Sequence, residues 1–164
     1  MASNLSQALR RVGGLTVQRL VQGMNENNSG ASGDLEKSIS FKVKKARKGI
    51  DLDILMLEYW EYVDGGRPPG KRPPIDKIKE WLTYPNTKSK LDSASSLSFT
   101  NIAEVTSLAY IIARKIGEKG TEGTDFATNV FESPLIQKEL PDIVLNAIYE
   151  DASNAIDELI TTFE

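Results

Sequence analysis

The chain has 164 residues and contains neither cysteine nor histidine. Without cysteine there is no disulfide, no thiol nucleophile and no thiolate metal site. Without histidine, Ser-His and Cys-His catalytic arrangements and imidazole-based zinc centres are lost too. Only carboxylates remain to hold a metal, so no metal or other cofactor is expected. Long apolar runs are also missing. The longest, Leu108 to Ala113, is far short of the roughly 20 residues that cross a bilayer, so no membrane association is expected. The opening Met1-Ala2-Ser3-Asn4-Leu5-Ser6 has no charged segment before an apolar one, and no secretory signal is read there. The sequon Asn27-Asn28-Ser29 therefore carries no weight.

What is present is ordinary for a globular protein: 40% apolar and 26% charged residues, enough for one real core. A single domain over 1–164 is expected, with a flexible loop near 25–34 and a serine-rich excursion near 86–100. The net charge of −3 is unevenly spread. Residues 1–103 hold 16 basic and 11 acidic groups, or +5; residues 104–164 hold 4 and 12, or −8. Two readings stand: solvated helix faces, or one end of the molecule complementing the other end of a neighbour.

In chain order, Leu5, Leu9, Val12, Thr16, Leu20 and Met24 share one stripe and predict a helix over 4–24, with Ser3 or Asn4 as cap. Gly13-Gly14 lies mid-helix, where either a kink or a close neighbour is expected. Ile39, Phe41 and Val43 alternate with polar residues and predict a strand. Lys44 to Gly49 reads as a basic turn. Ile50, Leu52, Ile54 and Met56 predict the partner strand of an antiparallel hairpin, ending buried on both faces and continuing as an aromatic strand end, Tyr59 to Val63. Pro74 starts a short helix with Ile75, Ile78, Trp81 and Leu82, stopped at Tyr84-Pro85. Asn101 and Glu104 suggest a capping box for a central, most buried helix, whose stripe Ile111 widens. Thr124 or Asp125 caps a short helix, and a long final helix from about Pro141 aligns Val144, Ile148, Ala152, Ala155, Leu159 and Phe163. The order predicts an α+β fold: an N-terminal helix, a small antiparallel sheet built on a hairpin, a Pro/Gly-rich loop, then several helices.

The loop, Gly65-Gly66-Arg67-Pro68-Pro69-Gly70-Lys71-Arg72, has the G-x-x-x-x-G-K spacing of a phosphate-binding loop. That motif works through backbone N–H groups, which Pro68 and Pro69 lack, and Arg72 stands where a hydroxyl must reach magnesium. Nucleotide binding is therefore not expected. The prolines make the loop stiff and extended, useless to a core and suited to a partner surface. Asp51, Asp53, Glu58, Glu61 and Asp64 read as solvated carboxylates. Lys42, Lys44, Lys45, Arg47 and Lys48 read as a solvated hairpin tip that could face a phosphate backbone. Tyr59, Trp60, Tyr62, Trp81 and Tyr84 read as core and interface aromatics, with base stacking as the alternative.

Several of these pieces recur in a recognisable order: Ser38-Ile39, then Tyr59, Tyr62, Val63, Asp64, Gly66 and Arg67, then Pro73, Pro74, Ile75, Ile78 and Trp81. Ala109, Ile112, Ala113, Arg114, Ile116, Gly117, Gly120, Thr121, Thr124 and Phe126 follow. Over roughly residues 30–130 this order resembles the neck proteins of tailed bacteriophages, the head–tail connector or tail-completion family. The resemblance implies a non-enzymatic virion component, assembled in the host cytoplasm. Copies of such a protein form a ring between portal or adaptor and tail-tube or terminator proteins, around DNA that passes without sequence specificity. In that setting the loop and its flank (Tyr59, Tyr62, Asp64, Gly66, Arg67, Lys71, Arg72) are expected to meet an acidic surface of the next subunit: Glu150, Asp151, Asp157 and Glu158. The alternative is a nucleic-acid-binding module using the basic turn and the aromatics.

Overall fold

The computed structural model describes residues 3–26, 32–47, 49–94 and 102–162. The expected cap Asn101, the basic Lys48, Phe163, and parts of the two expected loops (27–31 and 95–101) lie outside them. The described chain is a mostly helical α+β fold with one two-stranded antiparallel sheet. It divides into two compact units. One comprises Met1–Gly23, Ser38–Leu57 and Phe126–Glu164; the other comprises Met24–Lys37 and Glu58–Asp125.

The first unit is built on helix α1 (Asn4–Glu26). Ala8, Val12, Thr16 and Leu20 are buried at four-residue spacing, the line that one helix face presents to a core. The buried Thr16 hydroxyl is satisfied by donating to the Val12 carbonyl at 2.9 Å. Strands β1 (Ser40–Ala46) and β2 (Gly49–Leu55) pair from Ser40 opposite Leu55 to Ala46 opposite Gly49. Lys44 and Lys45 therefore belong to the strand, not to the turn. Gly13 lies under this hairpin: a Cβ there would run into the Phe41 ring and within 2.9 Å of Leu52 Cδ1. The glycine pair is thus explained by close packing at Gly13, whereas Gly14 has open space beside it.

Two expectations for the second strand fail together. Leu55 and Leu57 are exposed, and the strand does not continue into Tyr59–Val63. Those aromatics begin a short helix, α3 (Trp60–Asp64), whose flanks close with Tyr62 N–H to Tyr59 O and Gly65 N–H to Glu61 O. The reason lies in the register. Leu55 already pairs with Ser40, the first residue of β1, so the ladder has no edge left to offer beyond it.

The chain returns to the first unit through α7 (Phe126–Phe131), with Phe126 fully buried. A π-helical turn, Leu135–Glu139, then leads directly into α8 (Leu140–Thr162), giving 28 continuous helical residues. Pro141 does not break this helix. Its ring would crowd the carbonyl four residues back, and the wider turn just before it relieves that crowding.

In the second unit, a short helix α2 (Asp34–Ser38) that sequence did not foresee buries Leu35. Helix α4 (Ile75–Thr83) packs Ile78 and Leu82 on Ala109 and Ala113 of α6 (Ile102–Lys119). The expected serine-rich excursion is in part a helix, α5 (Pro85–Ala94), with proline at its first position and Leu91 against the same core. Helix α6 is less buried than its composition suggests. Its two alanines make the close approach, while Ile102 at 84% and Ile111 at 62% are exposed. Pairing along one narrow face leaves the other side open.

Candidate functional site

Two of the segments in the residue order behind the family resemblance, 63–70 and 117–125, lie about 55 positions apart, and in the second unit they form one clasp. Arg67 N–H donates to Thr121 O at 2.9 Å, and Thr121 N–H returns to Arg67 O at 2.8 Å. Gly70 N–H donates to Gly117 O at 2.8 Å, and Asp125 N–H to Asp64 O at 3.0 Å. Val63 O accepts from both the N–H and the hydroxyl of Thr124, each at 3.0 Å. Glycine is required where the strands of this clasp meet. Gly66 and Gly120 both have φ of 76°, and a Cβ on either would strike backbone of the opposite segment. Gly123 lies equally close to Asp64 O.

The Pro/Gly-rich loop was expected to be free of any core. Its backbone is instead partly used internally, because the Arg67 and Gly70 N–H groups find carbonyls across the clasp. A phosphate would have to displace those bonds. Asp64 is buried, and Gly66 is enclosed. The Arg67 guanidinium donates from Nη2 to Lys71 O at 2.5 Å, which curls the loop around its own side chain. The side chain of Arg72 covers Gly117, where a Cβ would lie 2.6 Å from its Cγ. Of the predicted interface set, Tyr59, Tyr62, Lys71 and Arg72 remain exposed, with Tyr62 at 65% more open than Tyr59. Burial and the nearby Asp34 push the Tyr59 phenol above its ordinary value.

The basic hairpin carries its own counter-charges. Lys42 stands opposite Asp53 and Lys44 opposite Asp51, so all four lie on one face of the sheet. Lys44 Nζ is 2.7 Å from Asp53 Oδ2, and this hydrogen bond raises the ammonium above its usual pKa. Lys45 and Arg47 are exposed. A mixed face of this kind holds a phosphate backbone less well than the run of lysines suggests. Among the described residues, no cluster of three metal-ligating side chains occurs, and no helix is long and apolar enough to cross a membrane.

The acidic surface is also partly committed. Asp151 was expected to face a partner, but its carboxylate accepts from Asn4 N–H at 2.9 Å and Leu5 N–H at 3.0 Å. It caps α1 from the far end of the chain, beside the local cap from Ser3 Oγ to Ser6 N–H at 3.3 Å. Glu150, Asp157 and Glu158 remain exposed.

Sequence reasoning aligned Val144, Ile148, Ala152, Ala155, Leu159 and Phe163 as one stripe of the last helix. The face that α8 buries is a different one, with Leu140 and Ala147 leading to Asp151. Small Ala147 lets α8 approach α1, and the two run antiparallel, with residues 140–144 near Val12 and Thr16 and Asp151 at Asn4. Beyond Asp151, α8 overhangs the first turn of α1 by eleven residues, 152–162, or roughly 16 Å of helix. All of them are exposed. Leu145, Ile148, Tyr149, Ile156, Leu159 and Ile160 form an apolar face open to solvent. Sequence reasoning also missed an open apolar groove of about 520 Å³ in the first unit. Val12, Leu52, Ile54, Phe131, Val144 and Leu145 help to line it. Periodicity reports which residues share a face, not whether another element covers it.

No family model, no curated protein and no solved structure matches the chain.

Proposed function

We propose that the protein is a non-enzymatic structural subunit of a tailed-phage neck, one of several copies in a ring that joins the portal or adaptor to the tail around the DNA channel. The reading starts from the residue order of the neck family. One observation supports it: two of the segments that carry that order are joined residue to residue, Arg67 to Thr121 and Asp64 to Asp125. A shared clasp explains why Tyr-x-x-Tyr-Val-Asp-x-Gly-Arg and Gly-x-x-Gly-Thr should occur together, since neither half folds this way without the other. The apolar overhang of α8 fits a subunit rather than a free-standing protein, because exposed contiguous apolar surface marks interaction sites.

On this reading the clasp is scaffold. The exposed Tyr62, Lys71 and Arg72 around it, and Asp157 and Glu158 on α8, are the groups offered to neighbouring copies or adjoining neck proteins. DNA passes without being held. Light scattering of the purified protein, with negative-stain electron microscopy, tests the ring directly. The expected result is a closed oligomer with a central opening. A monomer at every concentration, or a tight DNA complex at physiological salt, overturns the assignment.

A further inference from the structure

The sheet of the first unit has only two strands, so each strand has one edge without a partner strand. The register shows which groups those edges offer. Ala46 pairs with Gly49 across a two-residue turn, which makes them a hydrogen-bonded pair. Alternation from there turns the N–H and C=O of Phe41, Val43 and Lys45 outward on β1, and those of Ile50, Leu52 and Ile54 outward on β2. Among the described residues, none of these groups bonds to another element. Water satisfies such a row, but the row is also a template for another strand.

We propose that the hairpins of successive subunits join edge to edge, β1 of one copy beside β2 of the next, so that the two-stranded sheets become one continuous sheet. This deepens the ring reading and rests on it. Charge selects the pairing. Phe41 and Leu52 face Gly13 of α1, so Lys42 and Lys44 of β1 and Asp51 and Asp53 of β2 lie on the opposite, outer face. Two β1 edges would set lysine beside lysine, and two β2 edges aspartate beside aspartate. Like charges directly opposite destabilise a sheet. A β1 edge beside a β2 edge sets lysine beside aspartate, as the hairpin itself does with Lys42 opposite Asp53 and Lys44 opposite Asp51. Lysine on an edge strand commonly guards against association. Here that guard repels a second β1 edge and attracts a β2 edge.

The inner face gives a second reason. Phe41, Val43, Leu52 and Ile54 share the side toward α1 yet stay half-buried, and no residue of either strand is fully buried. Lys45 shares that side but lies exposed near the tip. Two strands make a narrow, marginal sheet, and further strands add both ladder bonds and apolar neighbours. A neighbouring hairpin extends this face sideways on both edges. Because the two edges are different surfaces, the contact is heterologous, and it repeats from copy to copy.

Exchanging the two charge rows tests this in the full chain. The variant Lys42→Asp, Lys44→Asp, Asp51→Lys and Asp53→Lys keeps opposite charges across its own hairpin and should keep the parent's circular dichroism. It is expected to assemble by itself as the parent does. Reassembled with isotope-labelled parent at low salt, it should form separate oligomers, because every mixed contact sets like charges side by side. Native mass spectrometry reads the composition. Free mixing overturns the proposal and leaves the ring reading intact. Hydrogen exchange of the parent decides the matter even if that variant does not fold. The outward amides of Phe41, Val43, Leu52 and Ile54 should be protected in the oligomer and exchange quickly after dilution to monomer, while the inward amides of Lys42 and Asp51 are protected in both. Fast exchange of the outward amides in the oligomer overturns the proposal. If the parent is monomeric at every concentration, this contact and the ring fail together.

Discussion

Arg67 and Thr121 exchange both of their backbone hydrogen bonds, at 2.9 and 2.8 Å, as a pair in an antiparallel ladder does. With the Gly70 N–H to Gly117 O bond beside it, this two-residue bridge holds the proline-rich loop. It works only because glycine stands next to each partner. Gly66 and Gly120 share the same left-handed φ, and each presses on the other segment. Gly66→Ala or Gly120→Ala is expected to destabilise the protein by about 2 kcal/mol or more, from backbone strain and displaced carbonyls. At this chain length that corresponds to a fall in melting temperature of about 4 to 8 °C. Thermal and urea unfolding of the single variants would check it.

Gly13 and Gly14 are neighbours in sequence with opposite expected responses. Gly13→Ala forces a methyl into the Phe41 ring and against Leu52, and overpacking of this kind costs about 1 to 3 kcal/mol. Gly14→Ala meets nothing within 4 Å and should stabilise α1 by about 0.5 to 1 kcal/mol. Denaturation midpoints of the two variants should lie on either side of the parent.

Asp151→Ala removes a cap that joins the two ends of the chain. The expected loss is about 1 kcal/mol, typical of an N-terminal cap, because two amides of α1 lose their acceptor. Hydrogen exchange should show faster opening of Asn4 and Leu5 amides in the variant. Unchanged protection there would show that the Ser3 hydroxyl suffices.

The hairpin predicts weak DNA binding that its own carboxylates limit. Asp51→Asn with Asp53→Asn frees Lys42 and Lys44 and should strengthen non-specific DNA binding several-fold at low salt, with a steeper salt dependence. The parent should show little retention in a gel shift at physiological salt. Removing exposed Lys45 and Arg47 from the double variant should reverse most of the gain.

How much of this was legible in the sequence depended on the range of the interaction. The period of α1, the alternation of β1 and β2, and the helix that follows Pro74 are local, because helix and strand geometry repeats every few residues; α5 was not legible, since Pro85 read as the stop of α4. The local elements and the α+β class followed from pattern alone. The end of β2 did not. The aromatic run after Leu57 keeps a strand-like composition, and only the register, exhausted at Ser40, turns it into a helix.

The absence of cysteine and histidine, the uneven charge and the family-like residue order were properties of the chain by itself. Tertiary structure decided which of those residues are free to act. It enclosed Gly66, joined Arg67 to Thr121, neutralised Lys44 with Asp53 and committed Asp151 to α1. It also left Ile148 and Leu159 of the α8 stripe exposed. The physical reason is common to all of these. Spacing along a chain determines which side chains share a face, but burial and pairing depend on what another, distant segment brings against that face.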